Sequence, residues 1–236
     1  VTTSEASMTL RYAPGESFVN SKQRRVPVSL DAPVFTLTHA MGFKGVLGGE
    51  YNFNRTEASI WKRFWLPASW GKIDCSVKAG AEWNTVPFPL LILPEANLSY
   101  ITQRETFCLI NNMEFLNDRF ASMSISYDMN GKLFNRIPLL KNLKWREMFR
   151  VRALWGTLTD KNNPFKSSNP DLFRFPTRDG KFTSFVMDPK VPYVEASVGI
   201  YNIFKLLHVE YVHRFTYRDN PGINKNGIRF MVLMVF

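Results

Sequence analysis

"GKIDCSVKAGAEW", residues 71–83, alternates along its whole length: Ile73, Cys75, Val77, Ala79, Ala81 and Trp83 fall on one side, and Lys72, Asp74, Ser76, Lys78, Gly80 and Glu82 on the other. A period of two belongs to a β-strand, because successive side chains leave the pleated backbone on opposite faces. A water-soluble sheet would close its apolar side over a core, whereas a membrane barrel would turn it towards lipid. Which solvent that side meets decides the fold.

The same alternation recurs along the chain. Strand-like segments are expected near residues 4–13, 33–42, 50–64, 71–84, 104–116, 119–130, 145–156, 192–202, 204–218 and 226–236. Helical periodicity is nearly absent, so the chain reads as all-β. The phases are clear where Ala121, Met123, Ile125, Tyr127 and Met129 oppose Ser122, Ser124, Ser126 and Asp128. They are equally clear where Phe149, Val151, Ala153 and Trp155 oppose Arg150 and Arg152, and where Val194, Ala196, Val198 and Ile200 oppose Glu195, Ser197 and Gly199. Between 206 and 217, Leu207, Val209, Tyr211, Phe215 and Tyr217 oppose His208, Glu210, Arg214 and Thr216.

Composition narrows the classes. The 236 residues (27.3 kDa) suit one domain or a piece of a larger protein. A mean hydropathy of −0.18 is that of a water-soluble chain, and no run approaches the roughly 18–20 apolar residues of a membrane helix. That excludes helical spans only, since alternating barrel strands leave mean hydropathy near zero. The net charge of +10 is dispersed, with "KQRR" at 22–25 as the one tight basic cluster. No nucleic-acid motif surrounds it, so nucleic acid is not an expected partner. Cys75 and Cys108 lie far apart and read as free thiols. The opening "VTTSEASMTL" has neither initiator methionine nor signal peptide, which implies a removed signal or a missing upstream region.

Three features favour lipid. Several runs reach ten or more residues, the roughly 9–11 that a tilted membrane strand needs, rather than the usual five or six of soluble sheets. The tryptophans gather at strand ends: Trp145 and Trp155 bracket "REMFRVRAL", Trp83 ends the opening run, and Trp65 and Trp70 flank the loop before it. Ten residues at about 3.3 Å each, tilted about 45°, cover roughly 23 Å, close to the apolar band between aromatic girdles. The polar face carries Arg, Lys, Glu and Asp at mid-strand depth. The last segment, "GIRFMVLMVF", ends on Phe236 with Met234, Val232, Phe230 and Ile228 stepping back by two. It looks like the terminal strand of bacterial outer-membrane barrels, which engages the barrel-assembly machinery. With Phe236 at a periplasmic rim, counting back through ten strands puts loops 157–191 and 14–32 outside and "NIFK" at 202–205 in a tight periplasmic turn. The connections 85–103 and 131–144 are then long for periplasmic turns.

Those two connections also carry a likeness. "VPFPLLILPEANLSYI", "NNMEFLNDRFASMSISYDMNG", "LFNRIPLLKNLKWRE" and "LWGTLTDKNNP" resemble the C-terminal region of a Gram-negative outer-membrane family of unknown function. Its members carry an N-terminal carboxypeptidase-regulatory-like domain ahead of a large barrel. "FTLTHAMGFKGVLGGEYNFNR", "PYVEASVGIYNIFKLLHVEYVHR" and "YRDNPGINKNGIRF" fit the same pattern, so the likeness covers most of the chain. The resemblance implies that residues 1–236 are the C-terminal portion of an outer-membrane β-barrel domain whose upstream part supplies more strands. That family is distantly similar to the Omp85 insertases and translocases, whose barrels carry an Arg-Gly-aromatic motif on an inward loop. This sequence has no Arg-Gly dipeptide, so insertase activity stands only as an alternative.

The expected fold is therefore an antiparallel transmembrane β-barrel of about ten strands in a bacterial outer membrane. Its partners are the lipid bilayer, the assembly machinery through the last strand and other envelope proteins. Candidate lumen-lining charges are Lys72, Lys78, Glu82, Arg150, Arg152, Glu195, Glu210 and Arg214, with Arg11, Asp74 and Arg229 on the same face. Arg150 and Arg152 have no acid between them and are the best candidates for more than strand pairing. Candidate interface aromatics are Trp83, Trp145, Trp155, Tyr217 and Phe236. Glu147 and His213 fall on the lipid-facing row, costly positions that suggest a rim. His39, His208 and His213 assemble no nucleophile, base and orienting group, and His-x-His and Cys-x-x-Cys spacings are missing. No enzyme, cofactor or metal is expected. A rim His–carboxylate enzyme and a soluble β-sandwich remain as alternatives.

Overall fold

A computed structural model of the chain describes residues 1–232 other than 21, 23, 102, 104, 165, 167–171, 173–176 and 179; the C-terminal Phe236 lies outside the described residues. The strands are β1 (Glu5–Tyr12), β2 (Phe18–Asn20), β3 (Arg25–Pro27), β4 (Val34–Gly42), β5 (Phe53–Trp65), β6 (Lys72–Glu82), β7 (Arg119–Asp128), β8 (Arg146–Thr157), β9 (Thr177–Arg178), β10 (Lys181–Phe182), β11 (Tyr193–Ile203), β12 (Leu207–Arg214) and β13 (Asn226–Val232). The only α-helix among the described residues, α1, spans Pro138–Leu143, too short to cross a membrane.

The chain is all-β, and nine strands form one antiparallel sheet in the order β1-β4-β5-β6-β7-β8-β11-β12-β13. The remaining strands make two short ribbons, β2–β3 and β9–β10. Every neighbour in the large sheet follows its predecessor along the chain, an up-and-down meander. Among the described residues the sheet ends at β1 and β13 without hydrogen bonds joining those edges. One expected strand is missing: residues 104–116 form no strand but belong to the long β6–β7 connection.

The register divides the sheet into two faces across eight pairings, with one shift, between Ile200 and Ile203 at the lower end of β11–β12. One face carries Met8–Leu37 diagonals, Ile60↔Val77, Val77↔Met123, Met123↔Ala153, Val198↔Phe149 and Tyr211↔Ile228. The other carries Arg63↔Asp74, Ser126↔Arg150, Glu195↔Arg152 and Glu210↔Arg229. The apolar face is the open one: Val198 is 52% exposed, Tyr211 48% and Ile228 52%, whereas Arg152 is 2% exposed and Arg214 and Glu210 not at all.

What covers the charged face is the β6–β7 connection. Arg55 of β5 reaches the Leu90 carbonyl, Lys78 of β6 reaches Glu95, and Arg152 of β8 reaches Cys108 Sγ. Glu195 of β11, Arg214 of β12 and Arg229 of β13 grip the same segment at Cys108, Leu109 and Glu114. One segment meets six strands on a single face only if that face is concave. The sheet therefore curls around residues 85–118, and the apolar rows form its convex exterior. The core lies inside the curl: Phe107, Ile110 and Phe115 of the segment pack with Leu154, Tyr193 and Met187, and Val86, Leu91 and Leu116 with Phe53 and Leu158.

The registers also assign each connection to a rim. Glu82, Arg119, Thr157, Tyr193, Arg214 and Asn226 share the upper rim, and Lys72, Asp128, Arg146, Leu207 and Val232 the lower. The 83–118 connection leaves the upper rim, together with 158–192 and 215–225. Loop 14–32 lies at the lower rim, opposite to 157–191, because Tyr12 pairs with Phe35 beside the end of β5. Because the expected strand over 104–116 is absent, every strand before it runs opposite to the expected direction. The lower rim keeps the tight 66–71 and 204–206 turns; at the first, Gly71 takes φ +88, and a Cβ there would run into the Asp128 carbonyl.

Candidate functional site

Among the described residues, chemically capable side chains converge on the charged concave face. Alternation on β8 points Arg150 and Arg152 inward, two residues apart, and β11 and β12 bring acids to meet them. Arg152 Nη1 lies 3.0 Å from Glu195 Oε1. Glu195 also accepts the backbone N–H groups of Cys108 at 2.8 Å and Leu109 at 3.1 Å, and the Tyr193 hydroxyl at 2.9 Å. Arg150 Nη1 passes over β11 to Glu210 Oε2 on β12, 2.9 Å away. Glu210 is held further by the Ser197 hydroxyl and by His208 Nε2 at 3.1 Å. The two arginines with no acid between them therefore have dedicated buried partners and are not spare cations.

Arg214 is buried with Glu114 of the inner segment, at 2.5 and 3.0 Å. It donates as well to the Thr216, Tyr217 and Leu109 carbonyls, and its guanidinium lies 4.8 Å from the Tyr193 ring centroid. Lys78 bridges Glu95 and Glu105 of the segment, each at 2.9 Å. Glu82 accepts the N–H groups of Asn54 and Asn84 and stands 3.6 Å from Arg55. Nearer the lower rim, Lys72 faces Asp128 at 3.8 Å and Arg63 faces Asp74 at 2.6 Å. Arg11, on the exposed edge strand, pairs with Glu16 in the following turn. Below the inner segment a cavity of about 370 Å³ remains, lined among others by Trp61, Ser76, Ser124, Arg150 and His208.

All eight candidate lumen charges thus point into the curl. They do not form one centre: Arg150–Glu210 and Arg152–Glu195 are two neighbouring pairs, Arg214, level with Glu195 in the register, pairs with Glu114, and Lys72, Lys78 and Glu82 pair elsewhere. The sequence reading missed their partners on the inner segment: Glu95, Glu105 and Glu114, with Asp118, which takes Thr159 and Asn162. The signal was available, since acids flank two non-alternating apolar runs, "PLLIL" and "FCLI". Burial pushes the Cys108 thiol pKa up, and the Arg152 guanidinium opposes that rise. Among the described residues no group of three His, Cys, Asp or Glu is placed to hold a metal.

The aromatic candidates divide. Trp83 and Trp155 are exposed on the convex face near the upper rim, and Trp83 Nε1 donates to Thr56 Oγ1, which also meets His39 Nδ1. Trp145 lies at the lower rim, next to the start of β8. Tyr217 does not face outward: its ring packs edge-on against Phe115, centroids 5.0 Å apart, and its hydroxyl donates to the Val191 carbonyl. Burial raises its pKa. Its backbone turns left-handed (φ 52) just past β12, which ends the alternation that would have kept it outside. Glu147 sits on the convex row but is buried, its carboxylate accepting the Leu133 N–H from the lower loop. His213, on the same row, meets Asn226 at the upper rim.

A curled, antiparallel, all-β sheet filled by its own charged inner segment is the class these features define. The chain belongs to the family described as "Family of unknown function (DUF5686) C-terminal domain", which matches residues 2–165. No curated protein matches the chain significantly.

Proposed function

We propose that this chain is the barrel portion of a bacterial outer-membrane protein, a scaffold for envelope transport or biogenesis without a catalytic centre of its own. The observation that carries the reading is the inverted amphipathicity of the sheet: apolar rows lie exposed on the convex side while paired charges are buried within. Water would penalise that arrangement twice, whereas hydrocarbon outside and a polar interior favour it. Strand lengths of 8–13 residues for most of the sheet agree with a tilted span. The upper rim, which bears the two longest connections (83–118 and 158–192), is then the outer side, and the lower rim, which bears the tight 66–71 and 204–206 turns beside loops 14–32 and 129–145, faces the periplasm.

The edges bear on the same reading. Hydrocarbon forbids unpaired backbone groups, and β1 is exposed on both faces along all eight residues. Phe230 of β13 donates across its open edge to the Tyr100 carbonyl, beside a parallel bridge from Ile101. In the membrane the β1 edge therefore needs a further strand, supplied upstream in the same protein or by another chain. The His208–Glu210 pair, the nearest approach to an acid–base couple, has its carboxylate committed to Arg150 and Ser197, which supports a structural role.

Fractionation of cells producing the native protein tests the proposal. It should sediment with outer membranes, resist extraction by carbonate and shift in gel mobility on boiling. Recovery in the aqueous phase without detergent would overturn it in favour of a soluble β-sandwich.

A further inference from the structure

Three charged residues stand on the convex row of the nine strands, Lys62, Arg119 and Glu147; every other charged residue of those strands points inward. Two of the three are capped by loop backbone. Lys62 Nζ donates to the Asp31 carbonyl at 2.7 Å, and Glu147 Oε1 accepts the Leu133 N–H at 2.6 Å. Arg119, exposed at the upper rim, meets no hydrogen-bond or ion-pair partner among the described residues.

Its surroundings are specific. Arg119 pairs with Ala81 on β6 and Thr157 on β8, so Trp83 stands two residues further out on one flank and Trp155 two residues further in on the other, with Arg119 between their levels. Lys161 adds a second cation to this rim, fixed by its Nζ to the Trp83 carbonyl at 2.6 Å. Two tryptophans set the depth of a bilayer interface. A guanidinium with a free fork at that depth matches the geometry of a phosphate, and an ammonium beside it adds a point charge. We infer that Arg119, Trp83 and Trp155, assisted by Lys161, bind the phosphate of a lipid headgroup in the leaflet at the upper rim. The inference rests on the membrane reading and adds a lipid preference that reading does not require.

The test uses the full chain reconstituted in vesicles of phosphatidylcholine alone or of phosphatidylcholine with lipid A, then released into mild detergent for native mass spectrometry. Insertion is checked separately by protease protection. Wild type should retain lipid A over phosphatidylcholine. Arg119→Gln should insert normally yet lose that preference about tenfold or more, the scale of a hydrogen-bonded charge pair. Arg119→Lys should recover part of it, and Lys62→Gln should change nothing. Equal retention by wild type and Arg119→Gln in inserted protein overturns the lipid site and leaves the membrane reading standing. Displacement of the lipid by millimolar inorganic phosphate also overturns it, reducing the site to a simple anion contact. Failure of wild type to insert removes the membrane reading, and the lipid site with it.

Discussion

Arg214 of β12 and Glu114 of the inner segment, 100 residues apart in sequence, are joined by two hydrogen bonds in a site closed to solvent. A buried pair of this kind stabilises little compared with an apolar pair of the same shape, but losing one partner strands the other. Glu114→Leu should therefore cost about 3 kcal/mol or more, read as a fall in the temperature at which the folded gel band disappears. The double variant Glu114→Leu with Arg214→Met should recover most of that loss.

Glu195, the register partner of Arg214, fixes the same segment through two backbone N–H groups and Arg152. In a Cys75→Ser background, Cys108 is the single thiol, buried and with its pKa raised. A raised pKa keeps the thiol protonated, so maleimide labelling of the native protein should stay slow through mildly alkaline pH and climb only above the ordinary thiol range. Glu195→Ala should speed that labelling about tenfold or more at fixed pH, because hydrogen bonds to a charged acceptor restrain the segment. Unchanged labelling would mean that Glu195 does not anchor residues 108 and 109.

The solvent outside the convex face can be read from one substitution. Val198 lies at the middle of β11 and is exposed. Val198→Arg should cost about 2–4 kcal/mol in a bilayer midplane, while Asn226→Arg at the rim should cost no more than about 1. In a water-soluble sheet both exposed sites would tolerate arginine within about 0.5 kcal/mol. Folding titrations of the two variants in lipid vesicles separate these outcomes.

Gly71→Ala tests the tight lower turn. The left-handed backbone and the Asp128 carbonyl leave no room for a Cβ, so the substitution should destabilise by about 1–3 kcal/mol. Gly15→Ala, at a turn with open space around it, should be milder.

Strand phase was legible because period-two patterning reports burial directly: on β6, β7, β8, β12 and β11 up to its register shift after Ile200, each side chain faces as its alternation implies. Segments 33–42 and 50–64 alternated poorly, yet form β4 and β5. Their faces carry Thr and Ser on one side and Lys62, Thr56 and His39 on the other, so hydropathy cannot separate them. The inner segment was misread for the opposite reason. Phe107, Cys108, Leu109 and Ile110 are all buried because wall and segment surround them on every side, and a run without alternation carries no strand phase. The pairing of Arg150 with Glu210 was hidden too, since it skips a strand and needs curvature that no local pattern records.

The inner segment leaves the ribosome between β6 and β7, before β8, β11, β12 and β13, which supply Arg152, Glu195, Arg214 and Arg229 to hold it. The contacts from β8 to β13 that hold the segment span 44 to 121 residues, so its seating rests on some of the most non-local closures of the fold.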